Sequence, residues 1–200
     1  HVVYPRFALY VVIGMESKEG EPLELTECFG GYGNINDNPV PMKEVQEKVE
    51  RLYKRICDKA EGVYAEAGVK TVILDSDVAG MIAHEAVGHT VEADLVLGGS
   101  VAASNLGKQV ASEKISIVDY AHTVGEEMAP LPVFLDDEGV KAKDAVLVEN
   151  GKLTGYMNNR ETAGHFGVEP CGNARAREFS DEPLIRMRNT LVLPGNDKLE

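Results

Sequence analysis

Two histidines five residues apart, His84 and His89, set the strictest geometric condition on this chain. Glu85 directly follows the first, inside the stretch Met81-Ile82-Ala83-His84-Glu85-Ala86-Val87-Gly88-His89-Thr90. The familiar zinc-protease motif, H-E-x-x-H, spaces its histidines four apart so that both leave one helical face, with the glutamate as general base. In a regular α-helix, residues five apart are rotated by about 140°, too far for two short imidazoles to share a cation comfortably. A single π-type turn, whose repeat is i to i+5, brings them back together. Gly88 lets the backbone deform cheaply at that point. The stretch is therefore a metal-site candidate on one condition: the helix is distorted or ends there. The bare motif leaves an alternative open, a pair of helix-end histidines satisfied by hydrogen bonds.

The rest of the composition narrows the class. At 200 residues, 44% hydrophobic and 26% charged, the chain suits one sizeable core. The longest apolar run, Phe7 to Ile13, is strand-sized and far short of a membrane span. A formal net charge of −13 argues against direct nucleic-acid binding, which rests on a basic surface. Cys28, Cys57 and Cys171 are odd in number and form no C-x-x-C pair, so a reducing compartment is expected rather than a disulfide framework. The first residue is His1 rather than Met, and Leu199-Glu200 closes the chain in mid-flow, which reads as a segment of a longer polypeptide with a cloning scar.

Along the chain, Val2 to Ile13 reads as a strand, Glu16 to Glu21 as a turn, and Leu23 and Leu25 as the return strand of a hairpin. Phe29 to Asn34, with three glycines, reads as a flexible loop where backbone passes close to something else. Asn36 to Pro41 reads as a linker. Val45, Val49, Leu52, Tyr53, Ile56, Ala60, Val63 and Tyr64 form one helical stripe, with Gly68 as its stop. Val69 to Leu74 is expected to be a strand, followed by a helix capped at Asp75, Ser76 or Asp77 that carries the motif. Strands are expected at Ile115–Val118, Leu131–Leu135, Ala145–Glu149, Lys152–Met157 and Arg186–Leu193, with His122–Met128 a loop. Asn150-Gly151 is the strongest short hairpin signal. Asn158–His165 reads as one or two helical turns. The fold class expected is α+β: mixed or antiparallel hairpins with two main helices, the second bearing the motif. One domain over 1–200 is expected, made of a hairpin and amphipathic helix (1–66) and a motif helix with a β-rich remainder (67–200).

The motif block, followed by Glu92, Asp94 and Gly98-Gly99-Ser100, resembles the TldD/PmbA family, historically labelled modulators of DNA gyrase. So do Phe134-Leu135-Asp136-Asp137-Glu138-Gly139, Val148 to Met157, Gly172-Asn173-Ala174-Arg175 and Arg186-Met187-Arg188-Asn189-Thr190. The blocks are collinear over the last two thirds of the chain. TldD-like members carry H-E-x-x-x-H and are similar to zinc peptidases; PmbA-like partners lack it. The resemblance implies zinc held by His84 and His89, with Glu85 as general base and acid in peptide hydrolysis. It further implies a cytoplasmic location, unfolded or leader peptides as substrates (microcin precursor maturation, antitoxin degradation), and a homo- or heterodimer with a family subunit. The family's third ligand is a cysteine near the end of the full-length chain, which these residues do not reach; Cys171 does not match it. Weak or absent zinc binding by these 200 residues is the corresponding expectation.

Glu92 and Asp94 are candidates for orienting a histidine or are plain solvated charges. His122 and His165 read as surface or loop residues. Asn173, Arg175 and Arg188 are substrate-binding candidates, and Arg177 and Arg186 could likewise meet a carboxylate. Ordinary salt bridges to the many acids are the simpler expectation for each arginine. A sheet edge near Gly30–Gly33 could grip an extended peptide by strand addition. The rival reading is a catalytically silent interaction module of gyrase-modulator type that works through a protein partner.

Overall fold

The hairpin periodicity at the N-terminus and the mixed pattern beyond it separate into two compact units, His1–Lys70 and Thr71–Glu200, in the computed structural model. Residues 5–36 and 39–197 are described. The expectations for residues 2–4, for Asp37 and Asn38 of the linker and for the last two residues lie outside them.

In the first unit, β1 (Arg6–Glu16) and β2 (Pro22–Tyr32) form one antiparallel hairpin in unbroken register, Ile13 opposite Leu25 and Leu9 opposite Phe29. Alternation selects the faces: Phe7, Val11, Ile13, Leu23 and Leu25 are half-buried, while Tyr10 and Val12 face outward. The glycines at 30 and 31 are not a loop, as the sequence suggests, but the last residues of β2. Close backbone approach explains them. A Cβ on Gly30 would stand 2.4 Å from the Phe7 carbonyl oxygen. Helix α1 (Met42–Ala60) lies against both strands and buries Leu52 and Ile56 of its stripe. The helix ends eight residues before Gly68, so Val63 and Tyr64 of the expected stripe are exposed.

Val69–Leu74, which runs from the end of the first unit into the second, belongs to no strand among the described residues, against expectation. A β-branched run needs a partner ladder to become a strand, and none is offered. Asp75 then caps α2 (Ser76–Ile82), its side chain accepting from Val78 N at 3.0 Å. Helix α3 (Ala93–Leu97) follows the motif. A four-stranded antiparallel sheet carries the core, in the order β10 (Asn189–Val192), β3 (Ile117–Tyr120), β6 (Ala145–Glu149) and β7 (Lys152–Leu153). Ile117, Leu147, Val148 and Leu153 pack there with Val91, Ala93 and Val96 from the motif side. The Asn150-Gly151 turn joins β6 to β7 with both residues at positive φ, 48° and 76°, the backbone a two-residue hairpin demands.

The short elements depart most from expectation. Residues 131–135 form no strand, because Pro130 and Pro132 remove ladder donors. Their backbone is satisfied piecemeal instead, Leu131 N and O by the Asn189 side chain at 2.8 Å each. Residues expected as loop make a small ribbon, β4 (Thr123–Val124) with β5 (Glu127–Met128). Helix α4 (Arg160–Phe166) carries a reciprocal cap between Asn159 and Thr162. Strands β8 (Ala174–Arg175) and β9 (Leu184–Ile185) form a second ribbon. The α+β class with antiparallel sheets, and a motif borne on the second helical run, agree with the sequence reading.

Candidate metal centre

The helical run that starts at Ser76 changes its repeat where the motif begins. Ala83–Gly88 is a π turn, and His89–Val91 continues as one 3₁₀ turn. The distortion has the consequence the spacing requires. The rings of His84 and His89 stand edge to face with centroids 4.7 Å apart, and one ligand atom from each of His84, Glu85 and His89 falls within 4.8 Å of the other two. His84 and Glu85 are exposed, and the His89 side chain is 43% exposed, so the group opens to solvent. Thr90 closes the turn by donating its hydroxyl to the carbonyls of Val87 (2.8 Å) and Ala86 (3.2 Å), and Ser100 Oγ donates to Thr90 O.

Gly88 is needed here for a reason other than backbone freedom. Its φ and ψ, −51° and −59°, are open to any residue. A Cβ at this position would instead stand 2.0 Å from Met187 Sδ. Met187 is buried against the turn, so Gly88→Ala forces it to repack, and overpacking of this kind costs about 1–3 kcal/mol. We expect Gly88→Ala to lower the unfolding midpoint accordingly, and to lower it less on a Met187→Ala background, where the space is vacant, in the same denaturant titration. A neutral Gly88→Ala variant would contradict the contact.

Beyond the turn, Glu92 is 2% exposed and lies with Oε1 3.3 Å from His89 Nδ1. That oxygen has no hydrogen-bond partner. Burial pushes the Glu92 carboxyl up from its usual range, while His89 and, more weakly, Arg186 pull it down. The backbone around it is pinned by Ala93 N to Met157 O and Met157 N to Val91 O, both at 3.0 Å. Asp94 is exposed and accepts from Leu95 N in its own first turn.

The other sequence candidates lie elsewhere. Asn173 (fully buried) and Arg188 point inward to Asp119: Asn173 Nδ2 and Arg188 Nε both donate to Asp119 Oδ2 at 2.9 Å. Arg188 also donates to the carbonyls of Cys171, Gly172, Asp119 and Lys143. Arg175, half-buried, donates from Nη2 to Met187 O at 2.6 Å. Of the four arginines expected in salt bridges, only Arg188 makes one among the described residues. His165 is exposed on α4, whereas His122 is half-buried and stacked on Phe134. Asp119 was the missed residue, and its signal was visible: a carboxylate between the apolar Val118 and Tyr120 of a strand.

Cys171 is not beside the histidines. It is buried, accepts from Asn158 N at 3.1 Å and donates to Asn173 Oδ1 at 3.0 Å. Burial pushes its thiol up, so the folded protein disfavours the thiolate. The unfolded thiol ionises near its ordinary value of about 8.5. The native contribution is therefore complete below that pH and is lost as pH rises through the higher folded value. Native Cys171 is expected to resist iodoacetamide at pH 8 while the exposed Cys28 reacts; peptide mapping of the alkylated protein checks it, and equal labelling would contradict the burial.

The donor set suits a zinc ion. Zinc–imidazole bonds are about 2.0–2.1 Å long, so two ligand atoms on one ion lie within about 4 Å of each other, and the ligand atoms here lie within 4.8 Å. Two imidazoles are present where a catalytic zinc takes three protein ligands.

Comparison with known proteins gives the family. The family model described as PmbA/TldA metallopeptidase C-terminal domain matches residues 67–200. A metalloprotease of Methanocaldococcus jannaschii is 42% identical over 179 residues, 87% of this chain and 37% of its own length. The zinc metalloprotease TldD homolog of Saccharolobus solfataricus is 36% identical over 156 residues, 78% of this chain and 34% of its own. The chain thus spans about a third of the length of the curated relatives it matches. Among solved structures, a protein of Thermotoga maritima described as a modulator of a DNA gyrase has the same fold at a TM-score of 0.65 and 22% identity, over 94% of this chain and 40% of that one. TldE of Thermococcus kodakarensis does so at 0.65 and 20%, over 97% and 42%. With the motif on a π turn and a family match that covers the whole second unit, the chain belongs to the PmbA/TldD metallopeptidase family.

Proposed function

We propose that the protein of which these residues are part is a zinc-dependent peptidase, with His84 and His89 as metal ligands and Glu85 as the proton carrier. The observation that carries this reading is the π turn, which gathers two imidazoles and one carboxylate from a spacing that a regular helix would scatter. Zinc in such a site supplies Lewis acidity toward a carbonyl and lowers the pKa of water. Glu85, next to His84 but not needed as a ligand, takes the proton of the attacking water and delivers it to the leaving amine. Glu92 Oε1 lies 3.3 Å from His89 Nδ1 without a hydrogen bond; closing that contact on metal binding fixes the tautomer protonated at Nδ1 and leaves the Nε2 lone pair for the cation. Asp94 is better read as a solvated helix-start charge. A third ligand has to come from outside this group, and the exposure of His84 and Glu85 leaves room for it. Peptides, and a second subunit of the same family, are the partners that go with this reading.

The experiment is Glu85→Gln in the intact protein, with zinc measured by atomic absorption and cleavage followed on an unfolded peptide. Zinc retained with cleavage lost supports the proposal; undiminished metal-dependent turnover would sink it.

A further inference from the structure

We propose that the cavity lined by Arg175, Arg177 and Arg186 is a carboxylate-binding subsite that anchors a peptide beside the motif helix, taking its class of ligand from the peptidase reading above. The cavity measures 860 Å³ and lies along the β8–β9 ribbon and the loop between the two strands.

Three guanidiniums share its wall, and among the described residues none of them has a carboxylate within ion-pair distance. That is unexpected in a chain with 33 acidic residues against 20 basic ones. The acids on the same wall explain it in part. Asp137 accepts from Ala176 N at 2.7 Å and Asp181 from Glu178 N at 3.1 Å, so both are committed to backbone donors, while Glu182, the third acid of the wall, is exposed to solvent. Arg175 is the innermost of the three, and its Nε is buried with no hydrogen-bond partner. Burial pulls the Arg175 guanidinium down from its ordinary value, the cost of holding a charge away from water. An incoming carboxylate relieves that cost, and the planar fork of arginine matches a carboxylate bidentately.

The cavity is also joined to the motif. Arg186 lines it, and the next residue, Met187, packs on Gly88 immediately before His89. Arg175 reaches the same place by its bond to Met187 O. Met187 thus joins the wall of the cavity to the backbone of the motif turn.

The test separates this proposal from the peptidase reading by measuring binding in the metal-free intact protein. A labelled hexapeptide is prepared with a free C-terminal carboxylate or a C-terminal amide, each with Asp or Asn at one internal position, and Kd is read by fluorescence anisotropy. The expected result is about tenfold tighter binding by the carboxylate-bearing member of one pair. A contrast between acid and amide assigns the C-terminus as the ligand; a contrast between Asp and Asn assigns an acidic side chain. The contrast should fall to within about twofold in Arg177→Gln/Arg186→Gln, both exposed positions whose replacement leaves the core untouched. Equal Kd for all four peptides, or a contrast that survives the double variant, overturns the proposal. A contrast that holds in a protein found to cleave nothing supports the subsite and removes the peptidase reading alone.

Discussion

Asp119→Ala is expected to cost about 3–5 kcal/mol, the range for removing one partner of a buried ion pair. Both side chains of the Asp119–Arg188 pair are fully buried at 2.9 Å. Asp119 Oδ1 accepts from Arg188 N (2.8 Å), Asn189 N (3.0 Å) and Thr190 Oγ1 (3.1 Å), and Oδ2 from Asn173 and Arg188 side chains. Removing the carboxylate leaves a buried guanidinium unpaired and two backbone N–H groups without acceptors. The loss is a large share of the 5–15 kcal/mol that holds an ordinary domain together. It should appear as a lower midpoint in urea, or as failure to fold. Thr190→Val, which removes one bond of the five, should cost about 1 kcal/mol. An Asp119→Ala midpoint equal to wild type would remove Asp119 from the centre of the fold. Because Asn173 and Arg188 end at this carboxylate, their replacement is expected to act on stability rather than on peptide affinity.

Glu85→Gln in the intact protein is expected to lower peptide turnover by about 10²–10⁴-fold, the usual contribution of a positioned general base. Glutamine keeps the size and hydrogen-bonding reach of the side chain but cannot take a proton at this pH. Glu85 is exposed and makes no contact in the core, so stability should change by no more than about 0.5 kcal/mol. Metal content should stay the same, because the imidazoles are unchanged. His84→Ala is the contrasting case: metal and turnover should fall together. Loss of metal in Glu85→Gln would recast the glutamate as a ligand instead of a base.

Much of the molecule was legible one residue at a time. The Asn150-Gly151 turn, the Asp75 cap and the α1 stripe each follow from local physics: positive φ, a side-chain acceptor for orphan N–H groups, and a 3.6-residue period. Where the fold depends on a partner, the sequence misled. Val69–Leu74 has strand composition and no strand to pair with, while residues 30–32 have loop composition and pair fully with β1. The difference lies in long-range hydrogen bonding, which composition does not encode.

The motif shows the same division. Its residues, their order and the five-residue spacing fixed the condition that any shared cation site must meet, and that condition named a π turn. Tertiary structure decided whether the condition was met and why glycine stands at 88. The reason is space taken by Met187, ninety-nine residues further along, and not the torsional freedom that the local sequence invites one to invoke. It also decided that Glu92 is buried against His89 while Asp94, two residues on, faces water, and that three arginines face one cavity with no ion pair among the described residues. A side chain's chemistry belongs to the sequence; what it meets depends on contacts between distant segments, and those exist only once the chain has folded.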